Sequence, residues 1–167
     1  AFSAIEEEYH RSENIQIVDF MIDNVFNDYR FELLSSDPAY DGIRAYYSVW
    51  VDMENIDNIL RAKRMGFEKT SLEHILLKHG TISRDSLMDL FSEGLPDLIE
   101  SFHKTAYGDS LKTGLASLGE EDSFSLLEKE MDEVLLDKMA PFRYVAQGPE
   151  VVEEYLSLKA MEIKNLK

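Results

Sequence analysis

Two Glu-x-x-His pairs are the residues in this sequence whose types and spacing most readily suggest chemistry. One pair is Glu7 with His10, and the other is Glu100 with His103. Ferritin-like di-iron proteins hold their metals with two such pairs and further glutamates, all on helix faces that point inward. Here Glu7 stands in a run of three glutamates, and His103 comes shortly before a Tyr-Gly turn. We therefore predict that these residues are solvated, and a helical metalloenzyme stays open as an alternative.

The remaining motifs predict no catalytic residue, no cofactor and no bound metal. His74 and His79 are five residues apart, so on a helix they would point in different directions. We expect them to be surface or capping residues. The chain has no cysteine, which excludes thiolate zinc sites, disulfides and a cysteine nucleophile. The eight scattered glycines form no phosphate-binding loop, and neither H-E-x-x-H nor G-x-S-x-G occurs.

A signature of apolar, acid, apolar, charged, Asn and apolar residues occurs twice, beginning at positions 51 and 161, which are 110 residues apart. It places Asp52 three residues before Asn55, and Glu162 three residues before Asn165. Residues at this spacing share one face of a helix. The repetition indicates an architecture of similar helical lobes.

Both signatures are predicted to lie at helix crossings. In the last helix, Glu162 and Asn165 continue the stripe formed by Val151, Tyr155 and Leu158, so we expect them to face away from solvent. The corresponding stripe of the earlier helix contains small residues, which would let another backbone approach closely.

A buried carboxylate needs hydrogen-bond donors or a cation. For Asp52 the expected cations are Arg44, Arg61 and Lys63, which lie nearby in the sequence. We interpret the two acid–Asn pairs as a polar network that fixes helix register. A contact surface for a partner and direct handling of protons or ions stay open as alternatives.

The elements that must position these residues are helices, and the predicted fold is all-α. Apolar residues at 3–4 spacing predict a helix over 16–36 and a longer one over 40–65, with Gly66 as its C-terminal cap. Capping residues, glycines and prolines in the rest of the chain predict further helices. These run from 70 or 71 to 78, 81 or 83 to 92, 96 onward, 110–118, 122 or 123 to 139, and 149 to the end. Only Phe142–Ala146 could be extended.

Charge narrows the classes of partner. The formal net charge is −16, with 17 basic residues against 33 acidic ones. This balance disfavours nucleic acid and anionic lipid surfaces, and a basic partner would be complementary. No stretch approaches the ~20 apolar residues of a membrane span, so direct membrane insertion is not expected. Tyr46, Tyr47 and Trp50 have helical spacing and are predicted to pack in the core.

Three stretches resemble the C-subunit family of A-type and V-type rotary ATPases, whose eukaryotic vacuolar member is the d subunit. The first stretch runs from Val51 through the Asp52–Asn55 pair to Lys63, and the second is Thr105–Gly108. The third runs from Gly148 to Lys167 and resembles the family's closing helix. Ala160 departs from the family, which often has an acid at that position.

The resemblance implies a funnel of three similar helical lobes that sits between the membrane proteolipid ring and the central-axle subunits. Such a protein transmits torque for proton or sodium transport, performs no bond chemistry and is cytoplasmic, peripheral to the membrane. The resemblance also implies a set of polar residues with a structural or interaction role. They are Asp52, Asn55, Arg61, Lys63, Tyr155, Lys159, Glu162 and Asn165.

The chain is expected to be a piece of a longer protein, because it has no initiator methionine and a helical pattern continues to Lys167. We predict two parts, a middle-lobe part over 1–66 and a last lobe over 67–167. The alternative to a rotary role is a helical-repeat adaptor that binds a peptide or another protein.

Overall fold

The structure, a computed structural model, describes residues 5–7, 9–10, 15–121 and 123–165. Residues 5–7 and 9–10 are helical, and eight named helices follow in the described part of the chain. They are α1 Ile15–Leu34, α2 Asp41–Arg64, α3 Leu72–Ile75, α4 Arg84–Leu90, α5 Leu95–His103, α6 Lys112–Glu121, α7 Ser125–Met139 and α8 Pro149–Asn165. Short 3₁₀ helices cover Pro38–Tyr40, Lys69–Ser71 and Ala140–Tyr144. These residues include no strand, which confirms the all-α prediction.

The long helix α2 ends as its sequence predicts. Gly66 has a φ of 72°, in the left-handed region that glycine adopts without a steric cost. The Gly66 amide donates to the Lys63 carbonyl at 3.3 Å, and the Phe67 amide donates to the Ala62 carbonyl at 3.0 Å. This pair of bonds is a Schellman motif, which satisfies two carbonyls at the end of the helix.

Two predicted elements differ from the structure. The helix expected to reach Lys78 ends at Ile75, because the chain after it leaves the helix to bury Leu76 and Leu77. Leu76 has an extended backbone, with a ψ of 126°, so the helix cannot continue through it. The extended segment expected over Phe142–Ala146 is instead 3₁₀-helical as far as Tyr144, and Phe142 is buried there.

Beside a small cluster of Phe31, Val51 and Leu77, the main apolar core surrounds α2. It includes Ile56, Ile59 and Leu60 from α2, all completely buried, together with residues from α3 to α7 and the 3₁₀ helix at Phe142. Tyr46 lies in this core, as predicted, whereas Tyr47 and Trp50 are half-buried beneath the Arg30 guanidinium. The core continues past residue 66, and the boundary between lobes at that residue stays a prediction.

Helices α6 and α7 cross at a glycine that no sequence motif identified. Gly114 is buried, and a Cβ at this position would overlap the backbone of Leu127. The Gly114 amide also donates to the Glu130 carboxylate at 2.7 Å. The absence of a side chain therefore sets how closely the two helices pack.

Candidate functional site

Asp52 and Asn55 are completely buried on one face of α2, as their spacing predicts. The Asn55 amide pairs with the backbone of Leu77 in both directions. Its Nδ2 donates to the Leu77 carbonyl at 3.0 Å, and its Oδ1 accepts from the Leu77 amide at 2.8 Å. The side chain thus supplies the backbone bonds that α3 gives up when it ends at Ile75.

The Asp52 carboxylate accepts from three neutral donors. Its Oδ1 accepts from the Ile82 amide at 3.0 Å, and its Oδ2 accepts from the Tyr107 hydroxyl at 2.7 Å and from the Thr81 hydroxyl. Gly80 lies directly against Oδ1, and a Cβ there would overlap it. The chain can pass this close to the carboxylate only because Gly80 has no side chain.

The prediction that Arg44, Arg61 or Lys63 would pair with Asp52 is wrong. Arg44 binds Asp41 at 2.8 Å, and Arg61 binds both Asp57 at 2.7 Å and Glu128 at 2.5 Å. Lys63 donates to the carbonyl of Phe91 at 2.7 Å and lies over its ring.

The reason is distance along the helix. Eight to eleven residues separate these cations from Asp52, which corresponds to roughly 12–16 Å at 1.5 Å per residue. Arg61 and Lys63 lie in the last turn of α2, where a positive charge suits the helix dipole, and Arg44 near the first turn pairs with Asp41. Hydroxyl and amide donors bind Asp52 at the centre of the helix.

Tyr107 is a partner of Asp52 that sequence reasoning did not identify, although it belongs to the Thr-Ala-Tyr-Gly stretch. Gly108 packs against the His103 backbone, where a Cβ would overlap the carbonyl oxygen, and this tight turn directs Tyr107 toward α2. Burial is the main cause that raises the pKa of Tyr107, and the neighbouring Asp52 carboxylate raises it further, whereas the bond with Thr81 lowers it. The phenol therefore stays protonated and able to donate.

Helix α1 binds both α3 and the segment that follows it. The Asn27 side chain is 1% exposed and donates to the Lys78 carbonyl at 2.9 Å, while Asn24 donates to the His74 carbonyl at 2.8 Å. His79 has a φ of 75°, and its ring stacks on Phe31 at 4.5 Å. The signal for this contact was present, since Asn24 and Asn27 have the same three-residue spacing as Asp52 and Asn55.

The acid of the second signature lies on the surface. The Glu162 side chain is 59% exposed and binds the Lys159 ammonium at 2.6 Å. The stripe that it was expected to continue is also exposed, at 40% for Val151, 61% for Tyr155 and 38% for Leu158. The prediction that Glu162 faces away from solvent is therefore wrong, and the side chain of Asn165 lies outside the described residues.

Helix α8 contacts α2 through a different side. The Tyr47 hydroxyl donates to the Glu153 carboxylate at 2.9 Å, and Ser157 donates to the same oxygen at 2.9 Å. Burial raises the pKa of Tyr47, and the Glu153 carboxylate raises it further. The spacing of apolar residues thus identified a real apolar face of α8, but not whether another element covers it.

Within the described ranges, no group of three or more His, Asp or Glu side chains is placed to hold a metal ion. Glu100 binds Lys104 at 3.6 Å on the surface of α5, and Glu7 and His10 are both exposed. Of the helices that the structure describes, none combines the length and apolar character required to cross a membrane.

Comparison with known proteins identifies relatives over the whole chain. A family model described as "ATP synthase (C/AC39) subunit" matches residues 1–167. The A-type ATP synthase C subunit of Methanothermobacter thermautotrophicus is 30% identical, over 75% of this chain and 33% of that protein. The protein of the same name from Methanobrevibacter smithii is 27% identical, over 99% of this chain and 45% of that protein. This chain thus spans less than half the length of these curated relatives, and no solved structure matches it significantly.

Proposed function

We propose, on the premise that this chain belongs to the ATP synthase (C/AC39) subunit family, that it is part of a non-catalytic central-rotor subunit of an A/V-type rotary ATPase. In this role it links the membrane proteolipid ring to the central-axle subunits and transmits torque for proton or sodium transport. The observation that carries the proposal is the family match over residues 1–167.

Transmission of torque requires a body that resists internal shear. The buried network supports such rigidity, because Asp52 and Asn55 of α2 and Asn27 of α1 all bind the segment from Leu77 to Ile82. Asn27, Asp52 and Asn55 are at most 1% exposed, so breaking these bonds would leave a buried polar group unsatisfied. Helices coupled in this way would move together under load.

The proposed position is on the cytoplasmic side, peripheral to the membrane and within the membrane complex. The net charge of −16 would favour attachment through basic protein surfaces and would oppose contact with anionic headgroups. An adaptor without a rotary role is a second candidate. The exposed apolar side chains on α8 favour it, because such a face is typical of a binding surface.

Co-purification tests the proposal directly. The longer parent chain, carrying an affinity tag, would be isolated from native membranes in a gentle detergent, with the same membranes lacking the tag as the control. We expect a small, very apolar proteolipid and the central-axle subunits to be recovered together with it. Recovery of other proteins alone, with no proteolipid, would contradict the rotor role and favour the adaptor.

A variant adds a test of rigidity. Asp52→Leu in the parent chain is expected to weaken the coupling of ATP hydrolysis to ion transport, with hydrolysis itself retained. The measurement is ion uptake per ATP hydrolysed in membrane vesicles, and Tyr144→Ser at a fully exposed position is the matched control. A wild-type ratio in Asp52→Leu would show that the buried network does not serve coupling.

A further inference from the structure

An apolar groove runs between α1 and α8 over the start of α2. Its volume is about 620 Å³, and Phe26, Tyr29 and Leu33 of α1 form one wall. Pro149 and Val152 of α8 belong to the opposite wall. The floor comes from Tyr40, Ile43 and Tyr47.

The side chains of these walls are unusually exposed for their size and polarity. Phe26 is 65% exposed, Tyr29 58%, Leu33 50% and Val152 60%. Tyr155 and Leu156, at 61% and 56%, extend the apolar surface along α8. A continuous face of this kind marks a site where another surface binds, whereas single exposed apolar residues would not.

The spacing of the wall residues suits a helix. Phe26, Tyr29 and Leu33 follow one another at intervals of three and four, so they form a ridge along α1. Val152 and Leu156 form the corresponding ridge on α8 at an interval of four. A third helix laid between two such ridges would place its own i, i+3, i+4 and i+7 residues in the groove.

The groove lining contains one basic and one acidic residue, Arg30 and Glu153, but the helices that form both walls each carry a net negative charge. Helix α1 carries four acidic residues and one basic residue, and α8 carries four acidic residues and two basic ones. The basic residue of the α1 wall, Arg30, lies with its guanidinium 4.4 Å from the centre of the Tyr47 ring and 4.9 Å from that of Trp50. Glu32 is exposed one turn from Tyr29 on α1.

We propose that this groove binds an amphipathic helix of another polypeptide, whose apolar face enters the groove and whose flanks carry lysine or arginine. A second copy of this chain is a poor occupant, because each copy has a net charge of −16 and would repel the other. The inference rests on the groove itself and is independent of the rotor role.

A peptide titration tests the proposal. The probe is a helical peptide of leucine and lysine with a single apolar face, added to the 167-residue chain at near-physiological salt and followed by calorimetry. We expect saturable 1:1 binding, weakened at least ~10-fold by the pair Phe26→Ser and Val152→Ser. Tyr144→Ser, at a side chain that is 90% exposed and outside the groove, is the matched control and should bind as wild type does.

Charge is tested separately from apolar contact. A peptide with the same leucine positions but glutamate in place of lysine should bind at least ~10-fold more weakly. Glu32→Lys should weaken binding of the lysine peptide without lowering the melting temperature. Equal binding of both peptides, or unchanged affinity in the Phe26→Ser/Val152→Ser variant, would overturn the proposal.

Two further measurements identify which polypeptide fills the groove. Sedimentation at tens of micromolar should show a monomer, and a dimer abolished by Phe26→Ser/Val152→Ser would assign the groove to a second copy instead. Peptide binding by the 167-residue chain but not by the longer parent chain would assign it to another part of the same polypeptide. Either result would overturn binding of a separate protein.

Discussion

At the residue scale, Asp52 is a completely buried carboxylate whose hydrogen bonds come from two hydroxyls and one backbone amide. None of the ion pairs between described residues includes it, so geometry and not opposite charge offsets its desolvation. Three directed donors can achieve this because each bond to an ionised acceptor is stronger than a neutral one. The arrangement depends on Gly80, whose missing side chain lets the donors approach.

Asp52→Leu is expected to destabilise the chain by about 2–4 kcal/mol, because it leaves buried donors without an acceptor. Tyr107→Phe removes one donor and should cost about 1–2 kcal/mol. Urea unfolding followed by circular dichroism measures both. Equal midpoints for Asp52→Leu and wild type would show that the network contributes nothing to stability.

Tyr107 also makes stability depend on pH on the alkaline side. Its pKa is raised above the ordinary value of 10.0, chiefly by burial. The folded state therefore binds the phenolic proton more tightly, so the stabilisation is complete below about pH 10 and is lost as the pH rises further. Tyr46 and Tyr47 act in the same direction, because burial raises the pKa of each.

We expect the free energy of unfolding to fall from about pH 10 upward and to fall less steeply in Tyr107→Phe. Unfolding in urea from about pH 8 to about pH 11 measures this slope, with Tyr144→Phe as an exposed control. A slope in Tyr107→Phe as steep as that of the wild type would contradict the assignment.

At the scale of the elements, the connection from α3 to α4 lies outside a helix and is held by side chains of two helices. Asn55 of α2 and Asn27 of α1 bind consecutive residues of it, Leu77 and Lys78. The backbone bonds lost at the end of α3 are thereby replaced by side-chain amides. Helices α6 and α7 depend in a similar way on Gly114, where close approach replaces side-chain packing.

Two glycine substitutions at the start of helices should have opposite effects. Gly114→Ala would press a methyl group into the backbone of Leu127 and should cost about 1–3 kcal/mol. In Gly42→Ala the new methyl group would lie 3.5 Å from its neighbours, an ordinary contact. Alanine lowers the conformational entropy of the unfolded chain, so this variant should be more stable by about 0.4–1 kcal/mol. Thermal melts compare the two variants, and an unchanged or raised melting temperature in Gly114→Ala would refute the close crossing of α6 and α7.

At the scale of the whole molecule, the net charge of −16 means that many acidic side chains have no basic residue to balance them. Self-repulsion of this size destabilises a compact state and is screened by salt. The same charge directs association toward basic partners, whichever function the longer protein has.

The melting temperature is accordingly expected to rise as sodium chloride increases from about 0.01 M to 0.5 M at pH 7, because the Debye length falls from about 30 Å to a few ångströms. Repeating the series near pH 5, close to the sequence pI of about 4.5, should largely abolish the rise. A melting temperature that salt lowers at pH 7 would mean that attractive ion pairs outweigh the repulsion.

Local sequence by itself determined the helical class, the end of α2 at Gly66 and the placement of Asp52 and Asn55 on one face of that helix. Each of these depends on residues within one or two turns, where spacing and backbone preference decide the structure. The resemblance to the rotary ATPase family, carried by the same residues, is also borne out by the family match.

Only the tertiary structure decided the partners of these residues. Asp52 binds Thr81, Ile82 and Tyr107, which lie 29 to 55 residues away. Such contacts depend on which distant backbone reaches the helix, and no local pattern encodes that. For the same reason, the apolar spacing of α8 could not reveal that Glu162 and its stripe are exposed. Periodicity identifies an apolar face, but burial requires a second surface, which only the assembled molecule or its partner supplies.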